Sequence, residues 1–278
     1  MMAATPMRFG CCGGIADAPL LRDAGFDYIE LPVGTLMSAT DEAAYQRITQ
    51  EILAMGLPVE ACNVFIPATL KITGPTVARE PLWQYAATAL QRMGEIGVRV
   101  CVFGSGGARA IPEGFDRARA LDQLAAFLDH VQEASARHGV RVVIEPLNRG
   151  ESNVFNSVAE ADEFNQSRGL SGIGVLADLY HIAVEGETYD GMIAAGDRLG
   201  HAHVADADRS APGEGAPTDY AGFFQTLHRM GYAGTISIEA RWRTTIHDEL
   251  TDTEAIDRET EHHRALVFVR RQWEAATH

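Results

Sequence analysis

Val142-Val143-Ile144-Glu145-Pro146-Leu147-Asn148-Arg149 is an apolar run that ends on a carboxylate and breaks into a proline and a polar loop. The pattern returns three times downstream. Leu176-Ala177-Asp178-Leu179-Tyr180-His181 ends on Asp178, Gly200-His201-Ala202-His203-Val204-Ala205-Asp206 carries two imidazoles, and Ile236-Ser237-Ile238-Glu239-Ala240-Arg241 ends on Glu239. A strand wet on one face alternates apolar and polar residues. A continuous apolar run is covered on both faces, as parallel strands under crossover helices are.

Outward from these four segments the same kind of run recurs. The expected strands are 7–13, 28–33, 59–65, 99–104, 141–147, 174–179, 200–205 and 234–240. Helical patterns lie between them. They are 41–55 with Thr40 as N-cap, 80–96 before Gly97, 116–138 closed by Gly139, 157–168 closed by Gly169, 219–230 closed by Gly231, and 252–274. A glycine just past a helix takes the left-handed turn that ends it. Eight strand–helix repeats predict an α/β fold, a single (β/α)8 TIM barrel spanning residues 1–278 as one domain. The length of 278 residues fits, since such barrels typically run to about 250. No linker-like stretch separates two units. A dinucleotide-binding sheet would want G-x-G-x-x-G after its first strand, and Gly10-Cys11-Cys12-Gly13-Gly14 does not match.

Composition narrows the partners. A formal net charge of −15 repels nucleic acid and anionic membrane and favours a small neutral substrate. No apolar run is long enough to span a bilayer, and residues 1–7 lack the apolar core of a signal peptide. Cys11, Cys12, Cys62 and Cys101 form no C-x-x-C pair and read as buried thiols in a reducing compartment, so a cytoplasmic enzyme is expected.

In a barrel the chemistry belongs at the C-terminal strand ends. Four successive strands deliver a carboxylate or an imidazole there. A charge at the end of a buried strand costs several kcal/mol unless it is paired or metal-bound. Three carboxylates and one imidazole make an oxygen-rich set that suits Mn2+, Mg2+, Co2+ or Zn2+ rather than a thiolate zinc site. Such an ion keeps open positions and polarises a substrate carbonyl. His201 and His203 are two apart on one strand, so both can point inward.

On Glu145-Pro-Leu-Asn-Arg with Glu151, Asp178-Leu-Tyr-His181, His203 with Arg209, Pro212-Gly-Glu-Gly215 and Ile238-Glu239, the whole chain resembles the xylose-isomerase-like TIM-barrel superfamily. Within it, the chain is similar to the D-tagatose 3-epimerase (ketose 3-epimerase) branch. The resemblance implies one divalent ion, Mn2+ first, held by Glu145, Asp178, His203 and Glu239, with His201 behind the ligands or in the core. It implies that Glu145 and Glu239 are also the catalytic acid and base, on opposite faces of the reacting carbon. Glu151, His181 and Arg209 then grip the substrate oxygens, and the protein is a homodimer or homotetramer. The activity implied is epimerisation or isomerisation of a small sugar through a metal-held cis-enediolate. A C–H beside a carbonyl is a far weaker acid than a carboxylic acid, and each pKa unit of mismatch costs about 1.4 kcal/mol. The ion and the hydrogen-bond donors offset that cost where charge develops.

One departure points to a second substrate class. Phe103-Gly104-Ser105-Gly106-Gly107-Ala108-Arg109 lacks the aromatic residues such epimerases place after the fourth strand. The bare loop leaves room for a 3-keto-glycoside, on which relatives act as epimerases or as eliminating deglycosidases. Asn63 is expected to touch substrate, and the loop 66–75 after the third strand reads either as a lid over the pocket or as a plain connection. Arg241, beside Trp242 and Arg243, is expected to contact a sugar face or an anionic tail. Asp206, Asp208 and Glu214 are expected to shape the loop around Arg209, and His262, His263 and His278 to be solvated. A DNA-repair endonuclease of related fold would need a histidine-rich multi-zinc cluster and a basic face, and the sequence offers neither.

Overall fold

A computed structural model describes residues 6–39, 41–243 and 258–277. The eight apolar runs become β1 (Phe9–Cys12), β2 (Tyr28–Pro32), β3 (Val59–Asn63), β4 (Val100–Phe103), β5 (Arg141–Ile144), β6 (Gly174–Asp178), β7 (Leu199–Val204) and β8 (Thr235–Ile238). Each strand pairs in parallel with the next, and β8 pairs back onto β1, so the sheet closes into a (β/α)8 TIM barrel.

The helices are α1 (Ala18–Ala24), α2 (Val33–Met37), α3 (Glu42–Ala54), α4 (Arg79–Glu95), α5 (Gly106–Arg109), α6 (Arg117–His138), α7 (Val158–Ser167), α8 (Leu179–Glu185), α9 (Asp190–Ala195), α10 (Tyr220–Arg229) and α11 (Arg258–Ala275). Local chemistry sets their ends. Asp41, not Thr40, caps α3: its carboxylate accepts the Ala44 amide at 2.8 Å, and Thr40 lies outside the described residues. Asp116 caps α6 in the same way at 2.7 Å, and Gly139 ends that helix with φ of 68°. Of the helix expected over 252–274, residues 252–257 lie outside the described residues. Among the described residues no helix is long and apolar enough to cross a membrane.

Most of the core lies between the sheet and the helices. A second, small apolar cluster of Val102, Val143 and Leu176, with Val100 packed on it, fills the barrel interior beside β4–β6. Register decides the other interior residues. Leu176 pairs with His201, Asp178 with His203, and His203 with Ser237, so both imidazoles project inward with period two. Tyr28, Glu30, His201, His203 and Ser237 are fully buried there. One expectation fails on the outside. His262 is buried rather than solvated, stacked on Trp242 at 3.7 Å with Nδ1 on the Arg258 carbonyl. His263 is exposed as expected, and His278 lies outside the described residues.

Candidate active site

Glu145 follows β5, Asp178 ends β6, His203 lies in β7 and Glu239 follows β8. Parallel pairing aligns these positions at one end of the barrel. Each offers one ligand atom, and the four atoms lie within 4.8 Å of one another. His203 Nδ1 is 3.1 Å from Glu145 Oε1 and 3.7 Å from Glu239 Oε2. Burial holds the Glu145 carboxyl above the usual carboxylate range, against the pull of His203. Burial acts on Glu239 too, but His203 and Arg209 outweigh it and hold that carboxyl low. Burial would depress His203, yet Glu30, Glu145 and Glu239 hold it well above the usual imidazole range. The buried carboxylates of Glu145 and Asp178, with the partly exposed one of Glu239, therefore call for positive charge at their centre. A divalent cation meets that demand, and the donor set of three carboxylates and an imidazole nitrogen fits one.

The backbone makes room for the cluster. A Cβ at Gly104 would collide with Glu145 Oε2, so the glycine lets the carboxylate lean against the end of β4. The Gly-rich segment is thus occupied, not open. Its residues 106–109 form α5, and Arg109 is fully buried. Arg109 donates to the carbonyls of Phe103 at 2.8 Å and Glu145 at 2.7 Å, clamping β4 to β5, and burial lowers it to about 10. Sequence reading missed this clamp.

Further polar groups surround the four donors. Arg209 donates to Glu151 at 3.0 Å and to Glu239 at 2.9 Å, and its guanidinium lies 4.9 Å from the centre of the Tyr180 ring. His181 Nδ1 accepts the Asn148 amide at 3.0 Å, so the proton sits on Nε2. That Nε2 is buried without a hydrogen-bond partner, 3.6 Å from Asp178 Oδ2. A buried donor left unpaired costs about 1–3 kcal/mol, which a bound oxygen would offset. Asn63 Oδ1, at the end of β3, is likewise buried and unpaired. The Arg241 amide donates to the Arg209 carbonyl at 2.7 Å, and its side chain is exposed.

The surrounding loops are held firmly. Asp206 accepts three amides, from Gly213, Glu214 and Gly215, and Asp208 accepts those of Ser210 and Ala216. Glu214 instead pairs with Arg243 and Arg264. The 66–75 loop is hydrogen-bonded to the segment after β4: Ile66 donates to Ser105 Oγ, Ile72 to the Ala108 carbonyl, and Thr73 to that of Ala110. Among the described residues the non-glycine positive-φ positions are Val64, Ser105, Phe155 and Arg209. All four lie in loops leaving the C-terminal ends of β3, β4, β5 and β7. Strain of this kind collects at functional sites.

Sequence reading also missed Glu30, which meets both barrel histidines from β2: its Oε2 is 2.9 Å from His201 Nε2 and its Oε1 is 3.1 Å from His203 Nε2. Burial pushes this carboxyl up, but His203 and His201 hold it well below the usual range. At the opposite, N-terminal end of the barrel a cavity of about 970 Å³ is lined by residues that include Arg8, Glu60, Arg99, Arg141 and Thr235. It contains none of the four donors.

The sequence profile of the Xylose isomerase-like TIM barrel family matches residues 18–266. Over 263 residues the chain is 27% identical to L-ribulose 3-epimerase of Methylomonas sp. (strain DH-1), covering 90% of this chain and 88% of that one. It is 32% identical over 114 residues to 3-dehydro-D-guloside 4-epimerase of Escherichia coli (strain K12), a match spanning 41% of this chain and only 43% of that one. The fold superposes on the apo crystal structure of 3-keto-D-glucoside 4-epimerase from E. coli with a TM-score of 0.78 and 22% identity, covering 96% of this chain and 100% of that one. The chain belongs to the Xylose isomerase-like TIM barrel family.

Proposed function

We propose that this chain is a divalent-metal-dependent sugar epimerase or isomerase, of the ketose 3-epimerase kind, that moves a proton at a carbon next to a carbonyl. The observation that carries this reading is the convergence of Glu145, Asp178, His203 and Glu239 at one end of a closed parallel barrel, their ligand atoms within 4.8 Å. The epimerase whose match covers 90% of the chain supports it.

Those four residues would hold the ion, Mn2+ first, with Mg2+, Co2+ or Zn2+ as alternatives. When bound, such an ion draws electron density from substrate oxygens and stabilises charge developing on them. The proton is handled by the chain itself. One of Glu145 and Glu239 takes the C–H proton, and the freed electron pair forms the C=C bond of a cis-enediolate as the carbonyl π pair moves to oxygen. The other carboxyl delivers a proton to the opposite face of the same carbon, and the pair on oxygen re-forms the carbonyl. His181 Nε2–H and Arg209 donate to the oxygens that gain charge. Glu151 orients Arg209 and accepts a substrate hydroxyl, and Asn63 and Arg241 contact the rest of the sugar. The chain works as one domain in a homodimer or homotetramer. A cytoplasmic setting is supported by four free cysteines.

A second reading is favoured by the relative at 32% identity, whose name gives a 3-keto-glycoside-type substrate. Here the substrate is a 3-keto-glycoside, and the same enolate either takes its proton on the other face or expels a leaving group at the β carbon. Incubation with Mn2+ in D2O separates the readings. One deuteron per epimerised free ketohexose is the expected result. Deuterium in, or aglycone released from, 3-keto-glucosides alone would replace it with the second reading, and no exchange into either substrate would discard both.

A further inference from the structure

The four-donor cluster needs His203 to present a bare nitrogen, yet nothing within the cluster decides which of its two nitrogens is bare. We propose that Glu30, on β2, is a positioning residue that fixes both the ring and the tautomer of His203, so that Nδ1 offers its lone pair to the cation. This inference rests on the metal reading above.

The hydrogen bonds dictate the assignment. Glu30 is fully buried. Its Oε1 and Oε2 stand 3.1 and 3.3 Å from His203 Nε2. An ionised carboxylate only accepts, so Nε2 carries a proton. Both ring nitrogens face carboxylates, so a cation among the four donors would take the place of the proton on Nδ1, and the neutral ring would keep its proton on Nε2 and its lone pair on Nδ1. Nδ1 is the nitrogen that faces Glu145 Oε1 at 3.1 Å and Glu239 Oε2 at 3.7 Å. Ligating histidines characteristically donate their second N–H to a carboxylate, which orients the ring and raises its basicity.

Glu30 can do this because it is itself immobilised. Ser237 Oγ donates to Oε2 at 2.6 Å, and His201 Nε2 meets the same oxygen at 2.9 Å. Tyr28 Oη lies 2.8 Å from Ser237 Oγ, and Thr235 Oγ1 lies 3.0 Å from His201 Nδ1. His201 thus acts as a strut for Glu30, its ring set edge to face against that of His203. A glutamine at position 30 would keep the volume but bring an NH2 group among three donors.

Mn2+ titration calorimetry on the chelated protein, with Glu30→Gln and Glu30→Asp beside wild type, tests this. The expected result is a loss of about 10- to 100-fold in Mn2+ affinity for Glu30→Gln, with part of it recovered in Glu30→Asp. A purely structural role would leave affinity unchanged in any variant that unfolds cooperatively. Nitrogen-15 histidine spectra of the Zn2+-loaded wild type give a second readout that needs no variant: His203 should carry its proton on Nε2. Wild-type affinity in Glu30→Gln, or a proton on Nδ1 with Nε2 on the metal, overturns the proposal while leaving the metal reading intact. A wild type that takes up no Mn2+ removes the metal reading and this inference with it.

Discussion

Beside β4, β5 and β6 the barrel interior is filled by Val100, Val102, Val143 and Leu176, whose packing is non-directional. Beside β2, β7 and β8 comparable space is taken by Tyr28, Glu30, His201, His203 and Ser237, all with 0% exposure and all hydrogen-bonded to one another. The first half needs only to be filled to crystal-like density. In the second, every donor must find an acceptor, or an unpaired polar group is left in a low dielectric. One half sets stability, the other sets geometry at the strand ends above it. Variants in the two halves should therefore fail in different assays.

The largest effect is expected where the polar half reaches the mouth. Glu145→Gln or Glu239→Gln should lower the rate of solvent-deuterium exchange into substrate by at least about 10³-fold, within the usual range for general acid–base groups. Cooperative thermal unfolding should persist. Near-normal exchange in either variant would remove the two-carboxylate mechanism. Leu176→Ala reverses the pattern. Denaturant unfolding should show about 2–5 kcal/mol of lost stability from the new cavity, with exchange kinetics changed little. A large kinetic defect in that variant would mean the halves are not separable.

Acid should distinguish the halves at intermediate strength. Glu30 is held well below its ordinary 4.5, so its contribution is full above that pH and is lost as pH falls toward the folded value. Burial holds His201 below its ordinary 6.5, so the unfolded chain protonates first and stability again falls with pH. His203 is shifted upward and acts in the opposite sense, its contribution present below 6.5 and lost as pH rises. The melting temperature of chelated protein should therefore begin to fall below about pH 6.5 and drop further below about pH 4.5. Leu176→Ala should lower that curve evenly, whereas Glu30→Gln should flatten its acid limb. The smallest effect is expected for Ser237→Ala, about 1.5–3 kcal/mol for one hydrogen bond to the charged Glu30 carboxylate, read by the same denaturant titration.

The two halves also differed in how far sequence alone could read them. Strands were legible because their apolar runs are continuous. Glu145, Asp178, His203 and Glu239 were legible because each stands at the end of such a run. Glu30 escaped because it sits inside the run 28–33, where only its inward direction and its pairing across the barrel give it meaning. Glycines read as open space at 104–107 turned out to be occupied, Gly104 by the Glu145 carboxylate. Arg109 showed no signal, since its partners are backbone carbonyls brought near only by the fold. Short helices such as α2, α5 and α9 span too few residues to display a helical period.

Direct titration of the chelated protein with Mn2+ puts the central claim at most risk, using wild type and Asp178→Ala. Asp178 supplies a ligand atom and takes no part in proton transfer in the proposed mechanism, so its loss isolates cation binding from chemistry. One Mn2+ per wild-type chain, with binding abolished or greatly weakened in a folded Asp178→Ala, is the expected result. Undiminished binding in that variant, or no binding by wild type, would contradict a single cation held by the last four strands.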